Sequence, residues 1–169
     1  MLMLLVVASG VMAEDSSEGV STFQTVALQK GSLILKEYFD CCEVDSLDFQ
    51  TACLTNIETG EKVYALRVET SYYNSKYDNG TAVGVMDSVE IDGAIATLEY
   101  IRAHKNEFKD YSEVVYKSSN GMEVGAYSTG NGSGSVVIKV DSSATKYYEF
   151  TMIDQLIDAL KKVQNSFGK

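Results

Sequence analysis

The sequence contains no proline and no tryptophan, and it has only one histidine and three cysteines. Proline is the residue that most sharply ends helices and strands, so glycine and asparagine must mark the element boundaries here. With His104 as its one histidine, the chain cannot assemble a metal site from several imidazoles. The sequence also has no Gly-x-Ser-x-Gly turn and no glycine-rich phosphate-binding loop, so two common enzyme motifs are excluded.

Basic residues are scarce as well. The chain has 14 Lys and Arg against 24 Asp and Glu, a formal net charge of -10. The basic residues are scattered singly apart from Lys161-Lys162, so no basic stripe is available to neutralise a phosphate backbone. The sequence therefore argues against a nucleic-acid partner, and acidity of this size favours solubility.

Long apolar runs are limited to the N-terminus. Residues 1–13 carry no charge, end in Val-Met-Ala, and precede an acidic, Ser-rich stretch. This pattern predicts a signal peptide over residues 1–13, cleaved after Ala13, a leader over residues 14–30, and export to a periplasmic or extracellular location. No basic residue precedes the run, and a buried N-terminal helix or strand is the alternative. No later stretch is long enough for a transmembrane helix.

Three cysteines lie close together in the sequence: Cys41, Cys42 and Cys53. In an exported protein, Cys53 could form a disulfide with Cys41 or Cys42 across neighbouring strands, leaving one thiol over. Buried free thiols are the alternative interpretation. The cysteines lack the C-x-x-C spacing of a zinc site, and we predict no metal site and no cofactor.

A short pattern occurs twice in the sequence, as I-D-x-x-I-x-x-L-x-x-[IV] starting at Ile91 and again at Ile153. Its apolar positions are three and four residues apart, the spacing of one face of an amphipathic helix. The carboxylate near each start suits the positive end of the helix dipole. Capping and this dipole account for Asp87, Glu90 and Asp92 without any catalytic role, and we predict no catalytic residue.

Four predicted strands precede each of these helices. The fold class is therefore α+β, a tandem duplication of a four-stranded antiparallel ββββα unit with the helices packed on the sheets. We expect each helix to cover the sheet that precedes it in sequence. Residues 31–169 form one predicted domain of two repeats, 31–108 and 111–169. The predicted strands are 32–39, 47–57, 62–70 and 81–86, then 111–117, 122–128, 135–141 and 146–150, with a polar loop over 71–80.

This order of elements resembles the layout of the Whirly and PUR-repeat group of single-stranded nucleic-acid binders, over nearly the whole chain after residue 30. The resemblance implies a sheet face on which bases stack and phosphates are neutralised. In this sequence the carboxylates Glu69, Glu113 and Glu123 interrupt such a face. The resemblance carries over no binding residue and gives single-stranded nucleic-acid binding as the alternative function.

Tyrosines form the candidate binding site. Tyr72, Tyr73 and Tyr77 occur in one stretch, and Tyr147 and Tyr148 occur at the corresponding place in the second repeat. Tyrosine provides contact area and a hydroxyl at low entropic cost, so these five side chains could line a groove, although ordinary strand packing is the alternative. We expect a non-enzymatic exported module that binds a protein, a peptide or a small ligand, and a homodimer through sheets or helices is left open.

Overall fold

The computed structural model describes residues 21–130 and 133–169. The predicted signal peptide and the first residues of the predicted leader lie outside the described residues. Of the helices that are described, none is long and apolar enough to cross a bilayer. In chain order the elements are α1 (Thr22–Ala27), β1 (Ile34–Val44), β2 (Leu47–Asn56), β3 (Lys62–Ser75), β4 (Asp78–Asp87), α2 (Ile91–His104), β5 (Ser112–Lys117), β6 (Glu123–Gly130), β7 (Ser133–Lys139), β8 (Thr145–Tyr148) and α3 (Ile153–Gln164).

Two antiparallel sheets of four strands each make up the fold, in the orders β1-β2-β3-β4 and β5-β6-β7-β8. Each sheet is a meander, and each is followed in the chain by a helix. The predicted α+β class and duplicated ββββα layout are confirmed. Both helical stripes are also confirmed, since Ile91, Ile95 and Leu98 of α2 are buried, as are their counterparts Ile153, Ile157 and Leu160 of α3.

The helices exchange sheets. α2, which follows the first sheet, lies against β5 and β6 of the second, whereas α3 lies against β1, β2 and β3 of the first. The prediction that each helix covers the sheet preceding it is therefore wrong. One buried cluster includes Phe49 and Leu66 of the first sheet, Val124 of the second, and the stripes of both helices. Neither repeat completes its own core.

Close contacts at two glycines show how tightly the parts fit. A Cβ atom on Gly93 of α2 would lie 2.3 Å from the ring of Tyr116 on β5, so this glycine lets the helix approach the second sheet. A Cβ atom on Gly84 of β4 would lie 2.5 Å from the carbonyl oxygen of Val140, just after β7. Since a backbone atom cannot swing aside as a side chain can, β4 and the end of β7 require a glycine at position 84.

The hairpin of β3 and β4 is longer than predicted. Residues 71–80, predicted as a loop, continue both strands, with Tyr72 opposite Gly80 and only Lys76 and Tyr77 in the turn. Tyrosine favours extended backbone, and cross-strand pairing outweighs the polar, turn-forming composition of this stretch.

Part of the predicted leader is also folded. Helix α1 lies against the face of the first sheet that α3 does not cover, where Phe23 packs with Ala52, Leu54 and Ala65. The two alanines leave room for the Phe23 ring. The residues just before and within α1 are therefore an integral part of the structure rather than a connecting segment.

Candidate functional site

The outer face of the second sheet carries an unusual row of side chains. Strand alternation directs Val124, Val136 and Ile138 into the core and places the intervening residues outside. The register sets Val115 of β5 opposite Gly125 of β6, Gly125 opposite Val137 of β7, and Val137 opposite Tyr147 of β8. The row thus crosses all four strands with apolar side chains on both sides of a glycine.

Gly125 forms the low point of this row. A Cβ atom there would lie 2.3 Å from the carbonyl oxygen of Val114 and 2.8 Å from the Cα atom of Val115. Only glycine fits, and the missing side chain leaves a depression between Val115 and Val137. The resulting cavity has a volume of about 460 Å³ and is lined by Tyr111, Glu113, Val115, Glu123, Gly125, Ala126, Tyr127, Val137 and Tyr147. We call this cavity the tyrosine groove.

Three tyrosines border the groove. The rings of Tyr127 and Tyr147 meet edge to face, with centroids 6.2 Å apart and planes at 75°. Tyr111 and Tyr147 are 67% and 63% exposed, so much of their ring surface faces solvent. Aromatic rings with this exposure around an apolar floor form a stacking surface that is already assembled before any ligand arrives.

The two ends of the groove carry different polar groups. At one end the Tyr111 hydroxyl donates to the Glu113 carboxylate, and this hydrogen bond raises the pKa of Tyr111. At the other end Glu123 Oε1 lies 3.0 Å from Lys139 Nζ and 3.7 Å from Lys117 Nζ. The groove therefore has two lining carboxylates, of which two neighbouring lysines offset Glu123 while Glu113 is hydrogen-bonded to a neutral hydroxyl.

The predicted tyrosines of the second repeat lie on opposite faces of β8. Tyr147 borders the groove, whereas Tyr148 points into the core and is 8% exposed. Successive strand residues alternate between faces, so a Tyr-Tyr pair within a strand cannot present both rings to one ligand. Ligand binding by Tyr148 remains a prediction, and the burial of this side chain argues against it.

Burial raises the pKa of Tyr148, and this effect outweighs the opposing effect of the Ser46 hydroxyl. A tyrosine in the unfolded chain ionises near pH 10, so the stability linked to this group is fully present below about pH 10. It is lost as the pH rises through the higher folded pKa. We expect Tyr148→Phe to reduce this alkaline loss of unfolding free energy, as measured by urea denaturation at about pH 7 and about pH 11. An equal loss in wild type and variant would contradict this, and the exposed Tyr77→Phe is the control.

The predicted tyrosines of the first repeat lie on the hairpin of β3 and β4. Tyr72 packs against the core cluster, while Tyr73 and Tyr77 are 74% and 91% exposed. Within the described part of the chain, none of the three lines the tyrosine groove. The structure therefore does not gather the five predicted residues into one site, and a role for this hairpin stays a prediction.

A second depression lies beside Cys41 and Cys42, with a volume of about 320 Å³. A β-bulge interrupts the pairing of β1 with β2 between Asp40 and Cys42. The Cys41 thiol lies 3.2 Å from the Thr51 hydroxyl and 3.6 Å from the Ser166 hydroxyl. Burial raises the pKa of the Cys42 thiol. A thiol that stays protonated is a poor nucleophile, so this environment does not activate Cys42.

All three cysteines are free thiols in this structure. Cys53 is opposite Glu37, four residues along β1 from Cys41, so the rise of a strand separates their Cα atoms by roughly 10 Å or more. A disulfide requires less than about 7 Å. The pairing of Cys53 with Cys41 or Cys42 stays a prediction that this register does not favour. Among the described residues, no group of three His, Cys, Asp or Glu side chains could hold a metal ion.

Comparison with known protein families and with curated proteins finds no match for this chain.

Proposed function

We propose that the chain is an exported, non-enzymatic binding module whose site is the tyrosine groove and whose ligand is a neutral carbohydrate. The observation that carries the proposal is the row Val115, Gly125, Val137 and Tyr147, an apolar floor with an exposed ring at its end. A sugar ring has an apolar face that packs on an aromatic ring and hydroxyls at its edge. The Tyr111–Glu113 pair at one end and Glu123 at the other supply acceptors for those hydroxyls.

The charged groups around the groove favour a neutral ligand over a cationic peptide or a nucleic acid. A cationic peptide would gain from unpaired carboxylates, but Glu123 lies within 4 Å of two lysines, and Glu113 accepts a hydrogen bond from the Tyr111 hydroxyl. Single-stranded nucleic acid, the alternative suggested by the layout, would need an excess of basic groups beside the rings. The groove has no basic excess and only one carboxylate without a neighbouring lysine, so a neutral ligand loses least by binding there. A volume of about 460 Å³ lies within the range of small-ligand sites.

The spacing of the two glutamates favours binding over hydrolysis. Glycosidases hold two carboxyl groups roughly 5 to 9.5 Å apart on either side of the scissile bond. Here Glu113 lies on β5 and Glu123 lies on β6. The residue opposite Glu123 is Lys117, four residues along β5 from Glu113. The two side chains start from backbone positions roughly 13 Å apart by strand rise, and different partners hold their carboxylates, Tyr111 for Glu113 and Lys139 for Glu123. The proposed export agrees with the apolar, uncharged residues 1–13.

Isothermal titration with cellohexaose, maltohexaose, chitohexaose and mannohexaose tests the proposal. We expect at least one to bind, and Tyr147→Ala to weaken that binding about tenfold, since one stacking ring contributes roughly 1 kcal/mol or more. Tyr100→Ala is the matched control, because Tyr100 is an exposed tyrosine on α2. Absence of binding by all four sugars, or binding of an oligothymidylate or a lysine-rich peptide instead, would overturn it. If Tyr73→Ala and Tyr77→Ala weaken binding and Tyr147→Ala does not, the site is on the β3–β4 hairpin.

A further inference from the structure

Strand β1 forms an open edge of the first sheet. It spans eleven residues, pairs with β2 on one side, and has no strand on its other side among the described residues. Leu35, Tyr38 and Phe39 on this strand are 44%, 50% and 52% exposed. A long edge strand with apolar side chains is a template for pairing with another chain, and proteins usually shorten or interrupt such edges. In β1 the interruption, the bulge between Asp40 and Cys42, comes only after the first seven residues.

Strand β1 carries a positive and a negative side chain that can pair with those of a second β1 strand. Lys36 and Asp40 are both exposed and lie four residues apart, on the same face as Tyr38. Neither forms a salt bridge with any described residue, although Asp40 accepts a hydrogen bond from Gln50 at 2.7 Å. An antiparallel pair of β1 strands with its two-fold axis at Tyr38 places Lys36 opposite the partner's Asp40, and it does so twice. Opposite charges at directly opposed positions stabilise strand pairing.

We propose that two copies of the chain pair through β1 in this register and form one continuous eight-stranded sheet. The pairing supplies hydrogen-bond partners for the free backbone groups of residues 36–40 and stacks Tyr38 on the partner's Tyr38. On the other face the same register places Phe39 opposite the partner's Glu37 and makes Leu35 of each copy a diagonal neighbour of the partner's Phe39. Each dimer would present two tyrosine grooves, yet the pairing stands on β1 alone and does not depend on what the grooves bind.

The other open edges fit this role less well. Strand β5 carries Glu113 and Lys117 at the same spacing, but it has six residues, and both charges already have partners in Tyr111 and Glu123. Strand β4 is covered where Gly84 meets the Val140 carbonyl. Strand β8, the fourth edge, has only four residues. Of the four edge strands, only β1 combines length, exposed apolar side chains and unused complementary charges.

Sedimentation equilibrium of the folded protein between about 1 and 100 µM tests the pairing. We expect a dimer that Lys36→Glu and Asp40→Lys each weaken by about tenfold, because each change opposes like charges in both pairs. Mixing the two single variants should restore dimers, since one copy then supplies carboxylates at both positions and the other supplies amines. Such rescue cannot arise from a change in folding of one copy.

The matched control is Lys62→Glu, the same charge change at an exposed position on β3. It should leave the dimer unchanged. A protein that stays monomeric throughout this concentration range would overturn the proposal. So would a dimer whose affinity is unchanged by Lys36→Glu and by Asp40→Lys, or a mixture of these two variants that forms no dimer. A dimer broken by Lys117→Glu, but not by Lys36→Glu, would place the interface at β5 instead.

Discussion

Residues 21–106 and residues 107–169, produced separately, are each expected to remain unfolded and to fold when they are mixed. The reason is the exchange of helices between the two sheets. Without α3, Phe49 and Leu66 on the first sheet lose their cover, and the apolar stripe of α2 has no second sheet to pack on. Fully burying one large apolar side chain stabilises by about 1.5–3 kcal/mol, so losing several removes about 10 kcal/mol. That equals the whole stability of an ordinary domain.

Far-ultraviolet circular dichroism and chemical denaturation measure the outcome. The fragments should show little cooperative structure alone, and an equimolar mixture should regain a single cooperative transition. The control is the intact chain cut after folding, by a protease site inserted between residues 106 and 107, which should keep its structure because the cut falls between α2 and β5. If residues 21–106 alone unfold cooperatively at a midpoint near that of the intact chain, the exchange does not determine stability.

Much of this fold could be predicted from the sequence, but the exchange could not. The stripe that starts at Ile91 and the stripe that starts at Ile153 share one pattern, and both sheets offer an apolar face of similar composition. Periodicity shows that a helix face will be buried and says nothing about which of two equivalent sheets buries it. The contact that distinguishes them, Gly93 against Tyr116, joins residues whose relation appears only after folding.

The candidate site was predicted only in part, for a similar reason. Tyr147 stood out because it lies in a Tyr-Tyr pair, yet Tyr111 and Tyr127 are isolated in the sequence and gave no signal. They come together because the register aligns β5, β6 and β8. The alternation of Glu113, Val115 and Lys117 with the half-buried Val114 and Tyr116 could have indicated an outward face. The depression at Gly125 could not be foreseen, since a glycine in a strand has several explanations.

Asp87 is expected to be the polar residue whose loss destabilises the protein most among those described. The sequence predicts a capping role for it at the start of the helix that follows the first sheet, and its backbone N–H does donate to Glu90 Oε2 at 3.1 Å. Its side chain has a different role. Although Asp87 is only 5% exposed, its carboxylate accepts from the Ser21 hydroxyl and the Thr22 N–H at 2.6 Å each, and from Asn120 Nδ2 at 3.3 Å. One carboxylate therefore fastens α1 to both repeats.

Asp87→Ala should lower the free energy of unfolding by about 3 kcal/mol, because buried donors that had a charged acceptor are left without one. The amides of α1 should also lose protection from hydrogen exchange, since Phe23 is held over Ala52 and Ala65 by the same contacts. Asp92→Ala is the matched control. Asp92 is exposed at the start of α2, accepts from Gln164 at 2.8 Å, and should cost no more than about 1 kcal/mol.

Asp87→Asn separates charge from shape. The amide can keep one acceptor oxygen, but its nitrogen would face either the Ser21 hydroxyl or the Thr22 N–H. We therefore expect a free energy of unfolding between that of wild type and that of Asp87→Ala. If both variants unfold like the control and α1 keeps its protection, the apolar contacts of Phe23 alone hold the helix. If instead α1 exchanges freely while the rest of the chain keeps its stability, the carboxylate fastens a separable segment, and the two repeats hold together through the exchanged helices alone.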